Sequence, residues 1–397
     1  MTADLYIPSM AAACAIGMNP SEISKSLFTA TRSGLKPRQD LCASSSPVGS
    51  LPDEVAALPD LFIAWDCRNN RLLAHLANQM RPEIDALIQS VGAQRIAVVI
   101  GTSTSGVAEG SAAINIRNTI GRWPDWFAYR QHETGGGAHF LADYLGIEGP
   151  AFVVATACSS SAKVFASARR LIRSGIADAA IVGGADSLCK LTLAGFDALS
   201  ALDSGNNNPF SKNRNGINIG EGGALFILTK AEAEIRLAGI GESSDAYHVS
   251  APEPDGIGTE AAIQAALADA GLRAEDIGYV NLHGTGTNLN DSMEARAMTR
   301  VFGTCPPCSS TKPMTGHTLG AAGAIEAAFI WLSLSGHYNP EGLLPPHLWD
   351  GEADTEFPSL NFVRGGDQFA DRKPVCLSSS FAFGGNNCSL IFEGKAR

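Results

Sequence analysis

Short continuous apolar runs alternate along this chain with stretches whose apolar residues recur at helical spacing. Runs at Leu5–Ile16, Arg95–Ile100, Phe152–Ala157, Ala179–Val182 and Gly220–Leu228 have the length of buried strands. A second series follows at Ile235–Gly241, Tyr279–Leu282, Val375–Ser378 and Cys388–Phe392. Helical patterns lie between them. One starts at Asn19-Pro20, with proline at the first helical position, and is expected to end near Gly34. Another covers Asn70–Val91, interrupted at Pro82. In the next, Val164, Phe165, Ala168, Leu171 and Ile172 share one face, with Gly175 as a C-cap. Later helices are predicted at Thr259–Ala270, from a cap at Asp291 to Phe302, and at Gly320–Ser335. Strands alternating with helices in both halves, with no low-complexity linker, predict layered α/β packing.

The junction at residue 158 is the most informative point. Cys158 follows a buried strand and precedes a helix, with Ser159, Ser160 and Ser161 next to it. Free N–H groups and the dipole at a helix start favour a thiolate and can hold an oxyanion. A small buried thiol that only packs strand against helix fits this stretch as well. Two further turns carry histidine. In NLHGTGTNLND, 281–291, His283 ends a strand. In STKPMTGHTLGAAGAIEAA, 310–328, His317 sits between Lys312 and Glu326, and Glu326 reads as structural support paired with Lys312 or loop backbone. In SSSFAFGGNN, 378–387, Phe383 beside two glycines suits a mobile apolar side chain. One cysteine and two histidines at strand ends can converge on one carbonyl, the cysteine as nucleophile and the imidazoles as donors.

Composition narrows the alternatives. Net charge is −11, which argues against nucleic acid or an anionic membrane as partner of the whole surface. Nine scattered cysteines fit a reducing cytoplasm better than a secreted disulfide framework. The N-terminal segment has no signal-peptide pattern, and the most apolar helix contains Glu326, so no membrane span is expected. Cys305-Pro-Pro-Cys308 lacks two further ligands, so no metal is expected.

The motifs TACSSS, HGTGT, KPMTGHTLGAAG and SFAFGGNN, with NPFSKNRNGINIGEGG (208–223) and SDAYHVSAPEPDG (244–256), resemble the β-ketoacyl–acyl-carrier-protein synthases in order and spacing. The resemblance covers nearly the whole chain and is to the elongating, Cys-His-His type. It implies a thiolase-like α/β fold, two similar halves in five α-β-α-β-α layers, divided here as 1–230, with the nucleophile, and 231–397, with both histidines. It implies catalytic residues Cys158, His283, His317 and Lys312, with Lys312 orienting the His317 loop. The oxyanion hole would be the N–H groups of Cys158 and Phe383, and Phe383 would gate access. Thr285 and Thr287 would bind a phosphopantetheine arm, and Thr104 would leave room in the acyl pocket. No bound cofactor is implied; the substrates ride on acyl carrier protein. The expected assembly is a homodimer, or a heterodimer with a synthase-like chain-length factor. The histidines are expected to serve decarboxylation more than acylation. Lys25, Arg32, Arg117, Arg122 and Arg130 are candidates for carrier docking.

Some features depart from the housekeeping fatty-acid enzymes: HGTGT, a short connection from Thr229 to Ile235, and Asn208 before Pro209. They point to a polyketide or polyene pathway, with housekeeping elongation as the alternative. Retention of Cys158 separates the chain from noncatalytic chain-length factors, and FAFGG separates it from thiolases, which carry a second cysteine there.

Overall fold

The computed structural model describes residues 4–32, 34–41, 46–369 and 374–395. Ten strands form one sheet: β1 (Leu5–Cys14), β2 (Ile96–Gly101), β3 (Ala151–Val154), β4 (Ala179–Asp186), β5 (Gly222–Thr229), β6 (Ile235–Ser244), β7 (Tyr279–Asn281), β8 (Cys308–Ser309), β9 (Val375–Ala382) and β10 (Asn386–Gly394). Their order is β8-β7-β9-β10-β6-β1-β5-β4-β2-β3. Read outward from the middle, the two blocks repeat one plan. The first strand pairs antiparallel with the fifth and the fifth with the fourth, and the second lies parallel between the fourth and the third. The blocks meet where Leu5 and Tyr6 of β1 pair with Leu237 and Arg236 of β6.

Seven helices matter for the site: α1 (Pro20–Phe28), α2 (Arg68–Gln79), α3 (Gly136–Leu145), α4 (Ser160–Arg173), α5 (Ile257–Ala270), α6 (Asn288–Phe302) and α7 (Ala322–Leu334). Helices α2 and α3 cover the outer face of the first block, while α5, with α6 packed on it, covers that of the second. Helices α4 and α7 touch each other and strands of both blocks, so they form the middle of five layers. Every residue of α7 is buried, as its nearly uninterrupted apolar sequence requires. The largest apolar cluster joins both blocks through Phe165, Phe226, Phe329 and Phe392.

Two local expectations change. Helix α1 stops at Phe28, well before Gly34, because the chain turns left-handed at Ala30 (φ 57°). Asp291 does not cap α6. It lies inside the first turn, and its carboxylate accepts from the backbone N–H groups of Gly286 (3.2 Å) and Phe210 (2.8 Å), so it cross-links loops.

The middle layer depends on close approach. A Cβ on Gly323 of α7 would stand 2.8 Å from the backbone nitrogen of Ala162 in α4. Alanine gains up to about 1 kcal/mol of helix propensity over glycine, but overpacking costs about 1–3 kcal/mol. Gly323→Ala should therefore lower Tm in a thermal melt, by a net loss of about 1–2 kcal/mol; an unchanged or raised Tm would contradict this packing.

Candidate active site

Strand β3 leads into a sharp turn in which Ala157 takes φ 51° and Cys158 precedes the first helical residue, Ser160, by two positions. The serines hold the turn. Ser160 Oγ donates to the Ala157 carbonyl at 2.6 Å and accepts from the Thr156 N–H at 2.8 Å, while Ser159 Oγ donates to the Thr156 carbonyl at 2.9 Å. Ser161 Oγ accepts from the Ala324 N–H at 2.8 Å and ties α4 to α7.

His317 lies in the equivalent place in the second block, just ahead of α7, and its Nε2 is 3.0 Å from Cys158 Sγ. The backbone N–H of Phe383 is directed at the same sulfur. His283 follows β7, and its ring meets that of His317 edge-on, centroids 5.5 Å apart at 86°. Cys158 and both histidines are buried. All three line one cavity of about 350 Å³, with Thr285, Thr287 and Phe383 further along its wall. Phe383 is 39 % exposed and lies against Phe196, centroids 5.7 Å apart, on a short turn in which Gly384 (φ 81°) and Gly385 (φ 73°) take conformations that favour glycine.

The electrostatics follow from one buried cation. Lys312 Nζ donates to the His283 carbonyl and to Glu326 Oε1, and lies 3.4 Å from His283 Nδ1. An ammonium only donates, so His283 Nδ1 accepts and the ring proton sits on Nε2. Burial, then the Lys312 charge, pushes both imidazoles well below their usual pKa, with the His317 ring a further cause at His283. Both are neutral at neutral pH. Glu326 is pushed up by burial, against the pull of Lys312.

The structure corrects two expectations here. Burial pushes the Cys158 thiol up to about 12; the Lys312 charge and the Phe383 N–H act in the other direction but do not overcome it. Burial thus favours the thiol over the thiolate. The helix start offers it little, because the N–H groups of Ser160, Ala162 and Lys163 donate to the carbonyls of Ala157 and Ser159. The Lys312 side chain bonds to His283 and Glu326, and only its backbone carbonyl, accepting from the Gly316 N–H at 2.8 Å, reaches the His317 loop.

Thr104 stays outside the cavity. Its hydroxyl donates to the buried Asp186 at 2.8 Å, so its polarity is spent inside the protein. Among the docking candidates, Arg117 lies over Trp123 (4.6 Å), Arg130 over Trp65 (4.8 Å), and Arg122 faces Asp125 (3.5 Å). Arg32 is half-buried and Lys25 exposed. Asn208 Oδ1 accepts from the Asp350 N–H at 3.0 Å.

Sequence reasoning missed three carboxylate roles. Asp186 accepts from Thr102, Ser103 and Thr104 and from the Ala321 N–H just before α7. Asp291 cross-links as described. Glu294 accepts from the N–H groups of His283 and Gly284, each at 2.7 Å, and fixes the turn; burial pushes it up to about 8 against those donors. The available signal was a carboxylate closing the apolar run of β4, at Asp186, and two at buried positions of α6, at Asp291 and Glu294.

Among the described residues, no helix is long and apolar enough to cross a membrane.

Residues 71–233 match the family model described as beta-ketoacyl synthase, N-terminal domain, and residues 233–347 match its C-terminal domain. A 3-oxoacyl-(acyl-carrier-protein) synthase 2 of Synechocystis sp. is 35% identical over 327 residues, 77% of each chain. Nodulation protein E of Rhizobium meliloti is 39% identical over 264 residues, 63% of each. Among solved structures, a ketosynthase (ApeO) in complex with its chain length factor (ApeC), from Xenorhabdus doucetiae, superposes with TM-score 0.93 at 43% identity, covering 99% of this chain and 98% of that one.

The pKa directions give a measurable consequence. A histidine held well below its usual value takes up a proton only well below pH 6.5, so His283 and His317 should show no imidazole titration by NMR between pH 6 and 8. A midpoint near 6.5 for either ring would contradict the burial described.

Proposed function

The chain belongs to the β-ketoacyl synthase family, and from that premise we propose how its own residues carry out the decarboxylative condensation of an acyl group with malonyl–acyl carrier protein. The observation that carries the reading is the Cys158–His317 contact beside a second neutral imidazole in one cavity.

In the first half-reaction Cys158 sulfur attacks the thioester of an acyl carrier protein. The thiol proton moves to the departing phosphopantetheine thiolate, and His317 Nε2–H, 3.0 Å from the sulfur, donates to it as negative charge develops there. The N–H groups of Cys158 and Phe383 stabilise the oxyanion. In the second, the malonyl thioester places its carbonyl oxygen against His283 and His317. Loss of CO2 leaves an enolate there. Neutral donors suffice, because the carbon–carbon bond that breaks supplies the electron pair. The enolate carbon attacks the acyl-Cys158 carbonyl, the sulfur leaves, and one proton restores the thiol. Thr285 and Thr287, on the cavity wall and hydrogen-bonded to each other at 2.9 Å, contact the phosphopantetheine arm. Phe383 gates malonyl entry. Residues 1–230 supply the nucleophile and 231–397 the histidines and Lys312.

The pathway reading is a polyketide or polyene system in which the enzyme pairs with a chain-length factor. It is supported by 43% identity across 99% of the chain to a ketosynthase whose structure contains such a factor.

Three experiments test this. Intact-mass spectrometry with an acyl carrier protein should show one acyl adduct, absent in Cys158→Ala; condensation by that variant would sink the assignment. His283→Ala should still acylate while releasing at least about a hundredfold less CO2 from the malonyl substrate. His317→Ala should be slowed in both halves, because its Nε2 also touches the sulfur. Equal acylation by the two variants would remove His317 from the first step. For the pathway, conjugated unsaturated acyl carriers should outcompete saturated ones when a chain-length factor is present; faster turnover of saturated medium chains by the isolated protein would favour housekeeping elongation.

A further inference from the structure

His347 has no part in the chemistry above, yet it is buried where three loops of the site meet. It lies in the segment after α7, far in sequence from the loops it touches. Its Nδ1 accepts from the Ser310 N–H at 3.1 Å. The ring proton is therefore on Nε2, which donates to the Pro209 carbonyl at 3.2 Å. The ring stacks on Phe362, centroids 4.1 Å apart at 12°. Burial, with Arg32 adding to it and the Pro209 bond opposing, pushes its pKa down to about 3, so the ring keeps one tautomer across the working pH range.

Both partners lead to the site. Ser310 Oγ donates to the Gly284 carbonyl at 2.6 Å, in the turn that carries His283, and accepts from the Lys312 N–H at 3.4 Å. Pro209 precedes Phe210, whose N–H donates to Asp291, the residue that also accepts from Gly286. We propose that His347 is a positioning residue for the condensation: through Ser310 it holds the loop bearing Lys312 in register with the turn bearing His283. The claim rests on the condensing role given to that pair above. A displacement of about 1 Å among groups that must meet one oxygen can cost on the order of a hundredfold in rate.

Three substitutions separate the two hydrogen bonds. His347→Phe keeps a stacking ring and loses both. His347→Asn offers a carbonyl near the place of Nδ1 and restores the Ser310 bond. His347→Gln offers an amide nitrogen near the place of Nε2 and restores the Pro209 bond. Acylation of Cys158, kcat and KM for malonyl carrier protein, and amide hydrogen exchange of peptides spanning 309–317 are read on each. His347→Phe should lose about ten- to hundredfold in condensation kcat, with acylation and KM within about twofold of wild type. His347→Asn should recover most of the loss and His347→Gln little. Exchange at 309–317 should quicken in the Phe and Gln variants only. The proposal is overturned by a His347→Phe kcat within about twofold of wild type, by a parallel loss of acylation, or by Gln rescuing better than Asn. If the Phe variant does not fold, the order of Asn and Gln decides alone. A wild-type protein that takes no acyl group would instead defeat the proposed function, and the exchange comparison would still decide whether His347 holds the loop.

Discussion

The site depends on where one buried positive charge sits. Lys312 and Glu326 have side chains only 2% and 3% exposed. Taking each from water costs several kcal/mol, and their attraction offsets this only with good geometry and further hydrogen bonds. Such a pair is weak support for stability. Its value here is directional. The ammonium's donors are shared among Glu326 Oε1, the His283 carbonyl and His283 Nδ1, so one ring's tautomer is set and its Nε2–H is free for the cavity. The same charge, close to both rings, opposes their protonation. A neutral ring is what an enolate oxygen needs as its donor, and burial, with the Lys312 charge added to it, keeps both rings neutral.

That charge can be placed there because the two blocks repeat one strand plan. In each, the third strand is followed by a helix of the middle layer, and the two middle helices meet face to face at Ala162 and Gly323. Cys158 precedes one helix and His317 the other. A nucleophile and the imidazole in contact with it, 159 positions apart in sequence, thus stand 3.0 Å apart by symmetry of connection. Asp186, at the end of β4, accepts N–H groups from the loop after β2 and from the residue before α7, and so joins the two halves at the same level.

What could be read in the sequence was whatever the chemistry keeps local. Apolar runs marked every strand of the sheet but β8; Cys158 announced itself between a strand and a run of serines, and His283 and His317 in glycine-flanked turns. The rest depends on partners distant along the chain. Lys312 lies five residues from His317 yet bonds to His283, because the short helical turn from 312 to 315 points its side chain toward β7. Asp291 has the composition of a cap, but the loop bearing Phe210 claims its carboxylate. His347 sits in a stretch without periodicity, and nothing near it in sequence signals Ser310 or Pro209. The protonation state of Cys158 was misread for a related reason. The helix start is local and visible, whereas the burial that outweighs it comes from the whole fold.

That burial shapes the order of events. Raising the thiol from 9.0 to about 12 is worth about 4 kcal/mol against the thiolate. The acyl thioester carries no charge, so burial does not oppose the acyl-enzyme. The penalty falls on the two moments when the sulfur would be anionic: attack on the incoming thioester and departure after carbon–carbon bond formation. Each is relieved if a proton moves as the charge develops, and His317 Nε2 is the ring nitrogen in contact with the sulfur. His283 has no such contact and serves only the enolate. Two histidines in similar turns therefore carry unequal duties: one serves both half-reactions and the other only the second, a difference set by 3.0 Å of geometry and by the dielectric around one sulfur atom.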